Sequence, residues 1–149
     1  MDWSRPRKYE FALLVGLIGV LAVMLLGALE RARADVEEAA MQAEIAALRI
    51  ELLEWLAQRE VRGGQLPESR NPLVWVARRP EGYLGELDSA PARRGVWYFD
   101  RRLGELVYCF HSERDARFRL VRGAESGDVP GRLAGVGLQR IDENGKSVK

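Results

Sequence analysis

From Phe11 to Leu29 the chain reads FALLVGLIGVLAVMLLGAL, 19 residues without a charge or a strongly polar group. Wound as an α-helix at about 1.5 Å per residue, this run spans roughly 28 Å, close to the hydrocarbon thickness of a bilayer. Arg5, Arg7, Lys8 and Glu10 precede it, and Glu30, Arg31, Arg33 and Asp35 follow it. Three basic residues on the leading side, against two arginines among acids on the trailing side, favour a cytoplasmic amino terminus. Trp3 and Tyr9 suit the inner interface. A cleaved secretory signal is the competing reading, because Ala32-Arg33-Ala34 is a small-x-small pattern. A signal peptide carries only about 7 to 15 apolar residues, and here charges would crowd the cleavage region, so an uncleaved anchor is expected. A buried soluble helix with no polar face explains the run less well.

Within the anchor, Ala12, Gly16, Gly19, Val23 and Gly27 recur at spacings of four, three, four and four, which lines small residues along one face. Such a face lets helix backbones approach closely in lipid. Glycine is also simply commoner in membrane helices, and no strict GxxxG occurs.

Beyond the membrane the helix is expected to continue from Glu30 to Arg62, since no proline interrupts it and Ala, Glu, Leu and Arg dominate. Gly63-Gly64 ends it. Met41, Ile45, Leu48, Leu52 and Trp55, with Leu56 beside them, form one apolar strip. Ala46, Ile50, Leu53 and Ala57 form a second on a different side, separated from the first by Gln42, Arg49 and Glu60 on one flank and by Glu44, Glu51, Glu54 and Gln58 on the other. A helix with two apolar faces calls for two neighbours: the longer strip is expected against the chain's own sheet, and Ile50 and Leu53 against a partner helix. One broad core-facing surface is the alternative.

Pro67, Pro72, Pro80 and Pro91 with Gly82 and Gly85 punctuate Gly63 to Arg94, which reads as irregular, with Leu73-Val74-Trp75-Val76 as a compact apolar cluster and Tyr83 and Leu84 packing nearby. Gly95 to Asp100 and Glu105 to Phe110, joined by a short link containing Gly104, read as a β-hairpin. Trp97, Phe99, Tyr108 and Phe110 are its expected core residues. Further strands are expected at 117–121 and 136–141, with a loop over 123–131 and a frayed tail over 142–149. The class is therefore α+β: an N-terminal transmembrane helix continuing into a long amphipathic helix, then a small antiparallel β-sheet. The expected organisation is a cytoplasmic terminus over 1–10, a transmembrane helix over 11–29, a periplasmic helix over 30–62 and a β-rich periplasmic domain over 63–149.

Little chemistry is legible. With 23 basic and 22 acidic residues, a net charge of +1 offers no excess to neutralise phosphates, so no nucleic-acid partner is expected. One cysteine and one histidine exclude an internal disulfide and the usual zinc ligand sets. His111, Ser112, Glu113 and Asp115 contain the residue types of a hydrolase triad, but adjacent loop residues do not converge as a triad must, and a solvated turn is expected. Asp142, Asn144 and Gly145 match only part of a calcium loop and read as a turn. Cys109, in a strand, reads as a buried inert thiol, and Arg93-Arg94 and Arg101-Arg102 as solvated pairs. No P-loop, dinucleotide fingerprint or HExxH occurs. Neither a catalytic residue nor a cofactor nor a metal site is expected.

An uncharged helix that begins with Phe11 after a short basic leader, continues as an amphipathic helix and ends in a small sheet resembles a type IV pilin or a type II secretion pseudopilin. Asn71-Pro72-Leu73, Gly82-Tyr83-Leu84-Gly85-Glu86-Leu87, Gly95-Val96-Trp97-Tyr98-Phe99-Asp100 and Gly104-Glu105-Leu106-Val107-Tyr108 resemble, in order, a motif series of accessory proteins in mannose-sensitive-haemagglutinin-type (MSHA-type) pilus systems. That family pattern has glycine before the phenylalanine and glutamate four residues after it. Glu10 and Val15 stand at those positions, so the signals for prepilin-peptidase processing and for polymerisation are missing. The resemblance implies a non-enzymatic single-pass component of the bacterial inner membrane that acts in type IV pilus assembly by helix packing and recognition. Its implied partners are pilins or other pilus and secretion assembly proteins and membrane lipid, with a homo-oligomer also open. A minor pseudopilin of type II secretion and a divisome-like bitopic scaffold are the alternatives.

Overall fold

The computed structural model describes residues 5–63, 65–122 and 136–141, with side chains from Lys8 onward. The expected cytoplasmic residues Met1 to Ser4, the 123–131 loop, the partial calcium motif at Asp142 to Gly145 and the polar tail lie outside the described residues. A helix, α1 (Arg5–Arg62, 58 residues), leads the chain, followed by β1 (Tyr83–Leu87), β2 (Val96–Asp100), β3 (Glu105–Cys109), β4 (Asp115–Arg122) and β5 (Val136–Ile141). The residues divide into two units, Met1–Ala39 and Ala40–Lys149.

Among its described residues the first unit is helix alone. Its apolar side chains from Phe11 to Leu26 stand exposed, and the helix is long and apolar enough to cross a membrane. Among the described residues none of this window is buried, and lipid is the solvent in which such a surface carries no hydrophobic cost.

In the second unit α1 ends where the sequence says it must. Gly63 takes φ 71°, a left-handed value that costs glycine nothing, while Arg59 and Arg62 in the last turn complement the helix dipole and Arg59 Nε donates to the Gln65 carbonyl at 3.0 Å. The five strands form one sheet in the order β1-β2-β3-β4-β5. From β2 onward it is antiparallel, with Trp97 opposite Tyr108, Leu106 opposite Phe118 and Leu120 opposite Leu138. The β2–β3 turn closes on Asp100, whose Oδ1 accepts from the Arg102 and Leu103 N–H groups at 2.8 and 3.0 Å, and on Gly104 at φ 68°.

The expected antiparallel sheet is corrected at β1, which pairs parallel to β2 and makes the sheet mixed. It arises inside the segment that reads as irregular, where a short 3₁₀ turn, Pro72–Val74, also forms. Parallel neighbours usually need a crossover of about a dozen residues or more. Here residues 88–95 suffice, because both strands are only five residues long and Gly95, at φ 69°, turns the chain into β2. The pairing begins with Trp97 N–H on the Gly82 carbonyl at 3.2 Å and ends with Arg101 N–H on the Leu87 carbonyl at 3.0 Å, with a register shift between Tyr83 and Glu86 around Gly85.

Alternation assigns the faces. Trp97, Phe99, Leu106, Phe118 and Leu138 pack with Met41, Ile45 and Leu48 of α1 in the main core. Leu52 and Leu56 meet Trp75, Leu120 and Val136 in a second cluster. The opposite face buries Val96, Tyr98, Val107 and Cys109, so this sheet is apolar on both sides.

Candidate functional site

The residues expected to face partners fall in separate units. In the first, Gly16 and Gly19 are open: a Cβ on either would meet nothing within 4 Å, while one on Gly27 would lie 3.7 Å from the Arg31 guanidinium. Val23 is exposed, and so is Ala12. These positions present a low, unobstructed ridge.

In the second unit, Met41, Ile45, Leu48, Leu52 and Leu56 are buried and Trp55 is half-buried. The other strip divides: Ile50 is 65% exposed, with Ala46 and Ala57 exposed beside it, whereas Leu53 is half-buried. Between the strips stands Arg49, whose importance the sequence does not signal. Its Nη2 donates to the Leu138 carbonyl at 3.2 Å, but its Nε is buried without an acceptor, and burial pushes the guanidinium pKa below its usual value.

Trp97, Phe99 and Phe110 are buried and Tyr108 is half-buried. Trp97 tilts against Tyr108 with centroids 4.9 Å apart, and Tyr108 meets Phe110 edge-on, also at 4.9 Å. This cluster lies within the core, where it shapes the sheet.

Two of the short motifs, Asn71-Pro72-Leu73 and Gly82 to Leu87, meet at one buried residue. Asn71, 2% exposed, caps the 3₁₀ turn by accepting from the Leu73 N–H at 3.0 Å, while its amide donates to the Tyr83 hydroxyl at 3.2 Å and to Glu86 Oε1 at 2.9 Å. Glu86 also meets Arg101 at 3.6 Å. The chain from Asn71 through β1 to the β2–β3 turn is thereby one polar network. An open groove of about 480 Å³ runs beside it, lined by Asn71, Leu73, Val74, Arg79, Tyr83 and Glu86 among others. Asn71 and Glu86 are already bonded within the chain, and Arg79 contributes the groove's positive charge.

Ser112 Oγ is occupied by Arg114 Nε at 3.3 Å, Asp115 pairs with Arg94 at 3.3 Å and with Arg117 at 3.8 Å, Glu113 sits at φ 59° in the turn, and the His111 ring lies over Gly95. The Cys109 thiol is fully buried, and burial together with Asp115 pushes its pKa up to about 11, which keeps it protonated near neutrality. Glu105, another residue with no sequence signal, is a buried carboxylate held by Arg119 and by Arg117 at 3.6 Å across the β3–β4 pair. Among the described residues no group of three metal-ligating side chains occurs.

Comparison of this chain with protein-family models, with curated proteins and with solved structures finds no match, so the family resemblance stands on the residues quoted above.

Proposed function

We propose that the protein is a non-enzymatic, single-pass component of the bacterial inner membrane that acts in assembly of an MSHA-type type IV pilus. Its amino terminus would lie in the cytoplasm and its sheet in the periplasm. The observation that carries this reading is the double character of α1. The first unit offers a bare apolar helix of membrane length, and the second keeps one strip of the same helix inside its core while leaving Ile50 and its alanine neighbours exposed. An assembly factor needs faces that other helices can reach. Open ridges at Gly16 and Gly19 and an exposed strip at Ile50 supply such faces. Glu10 and Val15, in place of the processing glycine and the conserved-pattern glutamate of pilins, favour an accessory component over a processed pseudopilin.

Deleting the gene should abolish surface pili while the major pilin accumulates in the membrane, and the full-length chain should restore them. Normal piliation of the deletion strain would overturn the reading. Mass spectrometry of the membrane-extracted protein should find the leader still attached; a mature chain beginning at Phe11 would make it a minor pilin or pseudopilin instead.

A further inference from the structure

The exposed strip of the second unit has a specific geometry. Ala43, Ala46, Ile50, Leu53 and Ala57 follow one another at three, four, three and four residues, the alternation of a and d positions in a heptad repeat. Ala43, Ala46, Ile50 and Ala57 are exposed and Leu53 is half-buried, while Met41, Leu48 and Leu52 are buried against the sheet. Small a and d side chains permit close approach of two helix backbones. We propose that this strip is the seam of a parallel, in-register coiled coil between two copies of the chain.

The choice of a second copy rests on the anchor reading above and on charge. Two copies held by the same apolar segment in one bilayer emerge in the same direction and at the same height, so a residue of one copy faces its own counterpart in the other. In that register each g position meets the e position of the next heptad on the partner helix. The pairs are Gln42 with Ala47 and Arg49 with Glu54, so no like charges oppose one another and the one ionic pair is attractive. Among the described residues Arg49 also has no counter-charge. It is half-buried, its Nη2 is held by the Leu138 carbonyl, and burial opposes its charge. Glu54 is exposed and makes only a 3.4 Å bond from Gln58 one turn on. A second copy would bring Glu54 alongside the flank of the helix that carries Arg49.

The test uses the full chain in native membranes. With Cys109→Ser as background, single cysteines are introduced as Ile50→Cys, Leu53→Cys and Ala57→Cys on the seam and as Gln58→Cys, an exposed position outside it. Oxidation should yield a disulfide dimer of twice the chain mass at the three seam positions and little at Gln58. Adding Glu54→Arg to Ile50→Cys should lower dimer yield about two- to fivefold. Equal yield at Gln58, no dimer on the seam, or a product of another mass would overturn the proposal, the last by identifying a different protein as the occupant. Dimer yield is scored without reference to piliation, so the seam and the pilus reading fail separately. Absence of the chain from the membrane fraction would remove the anchor on which the register depends.

Discussion

Asn71 and Cys109 show how much depends on the surroundings of one side chain. Asn71 looks like an ordinary turn residue before Pro72, yet it satisfies a backbone N–H, a hydroxyl and a carboxylate while buried. Asn71→Ala removes the cap on the buried Leu73 N–H, worth about 1 kcal/mol, whereas Glu86 is exposed and keeps Arg101 as a partner. The variant should melt at a lower temperature and become protease-sensitive first in the 71–87 segment, as limited proteolysis will reveal; a melting temperature equal to the parent's would contradict this role. Cys109 is held as the neutral thiol, with its pKa raised from 9.0 to about 11. A raised pKa means that the native state binds the proton more tightly than the unfolded chain does. The stabilisation is therefore complete below about pH 9 and is lost as pH climbs toward 11. Tyr98, raised to about 12 chiefly by burial, extends the decline upward from about pH 10. Denaturant unfolding between pH 8 and 11 should show stability falling with pH, and Cys109→Ala should flatten the portion nearest pH 9 to 11.

At the scale of elements, the β2–β3 hairpin and α1 are the most strongly determined parts of the fold. Both hairpin strands are rich in aromatic and aliphatic residues, and the Asp100 and Gly104 turn sets their register. Trp97 is 2% exposed and touches Tyr108 and Phe118, so Trp97→Ala should cost about 3 to 5 kcal/mol, a large share of the stability of a small domain. Urea denaturation of the detergent-solubilised chain will measure it, and a loss under 1 kcal/mol would show that the ring is not a core anchor. β1 is different in kind. Tyr83–Leu87 contains a glycine at φ 104° and an acid, alternates weakly and finds its register through Asn71 and two backbone bonds to its parallel neighbour. Its partner is chosen by tertiary packing, so the segment gives no strand signal of its own.

For the whole molecule, the exposed helix of the first unit dominates behaviour in solution. Apolar residues such as Leu13, Leu25 and Leu26, each more than 60% exposed, make an aqueous monomer an aggregation hazard. The chain is expected to remain in the membrane fraction after an alkaline carbonate wash, and a periplasm-dependent reporter fused after Lys149 is expected to be active. A soluble product beginning near Asp35 would contradict the anchor and favour a cleaved signal peptide.

What the sequence determines by itself is whatever depends on neighbours along the chain. The length of the apolar run, the helix that ends at Gly63, the opposed strips of α1 and the alternation of β2 and β3 all follow from the periods of 3.6 and 2 that local backbone geometry imposes. The division of Ile50 from Leu53, the parallel placement of β1, the convergence of Asn71 with Tyr83 and Glu86, and the orphaned Nε of Arg49 were decided only when distant segments met. The physical reason is the same in each case. Burial and hydrogen-bond satisfaction are properties of a site in space, and residues as far apart as Arg49 and Leu138 carry no mark of one another until packing sets them 3.2 Å apart.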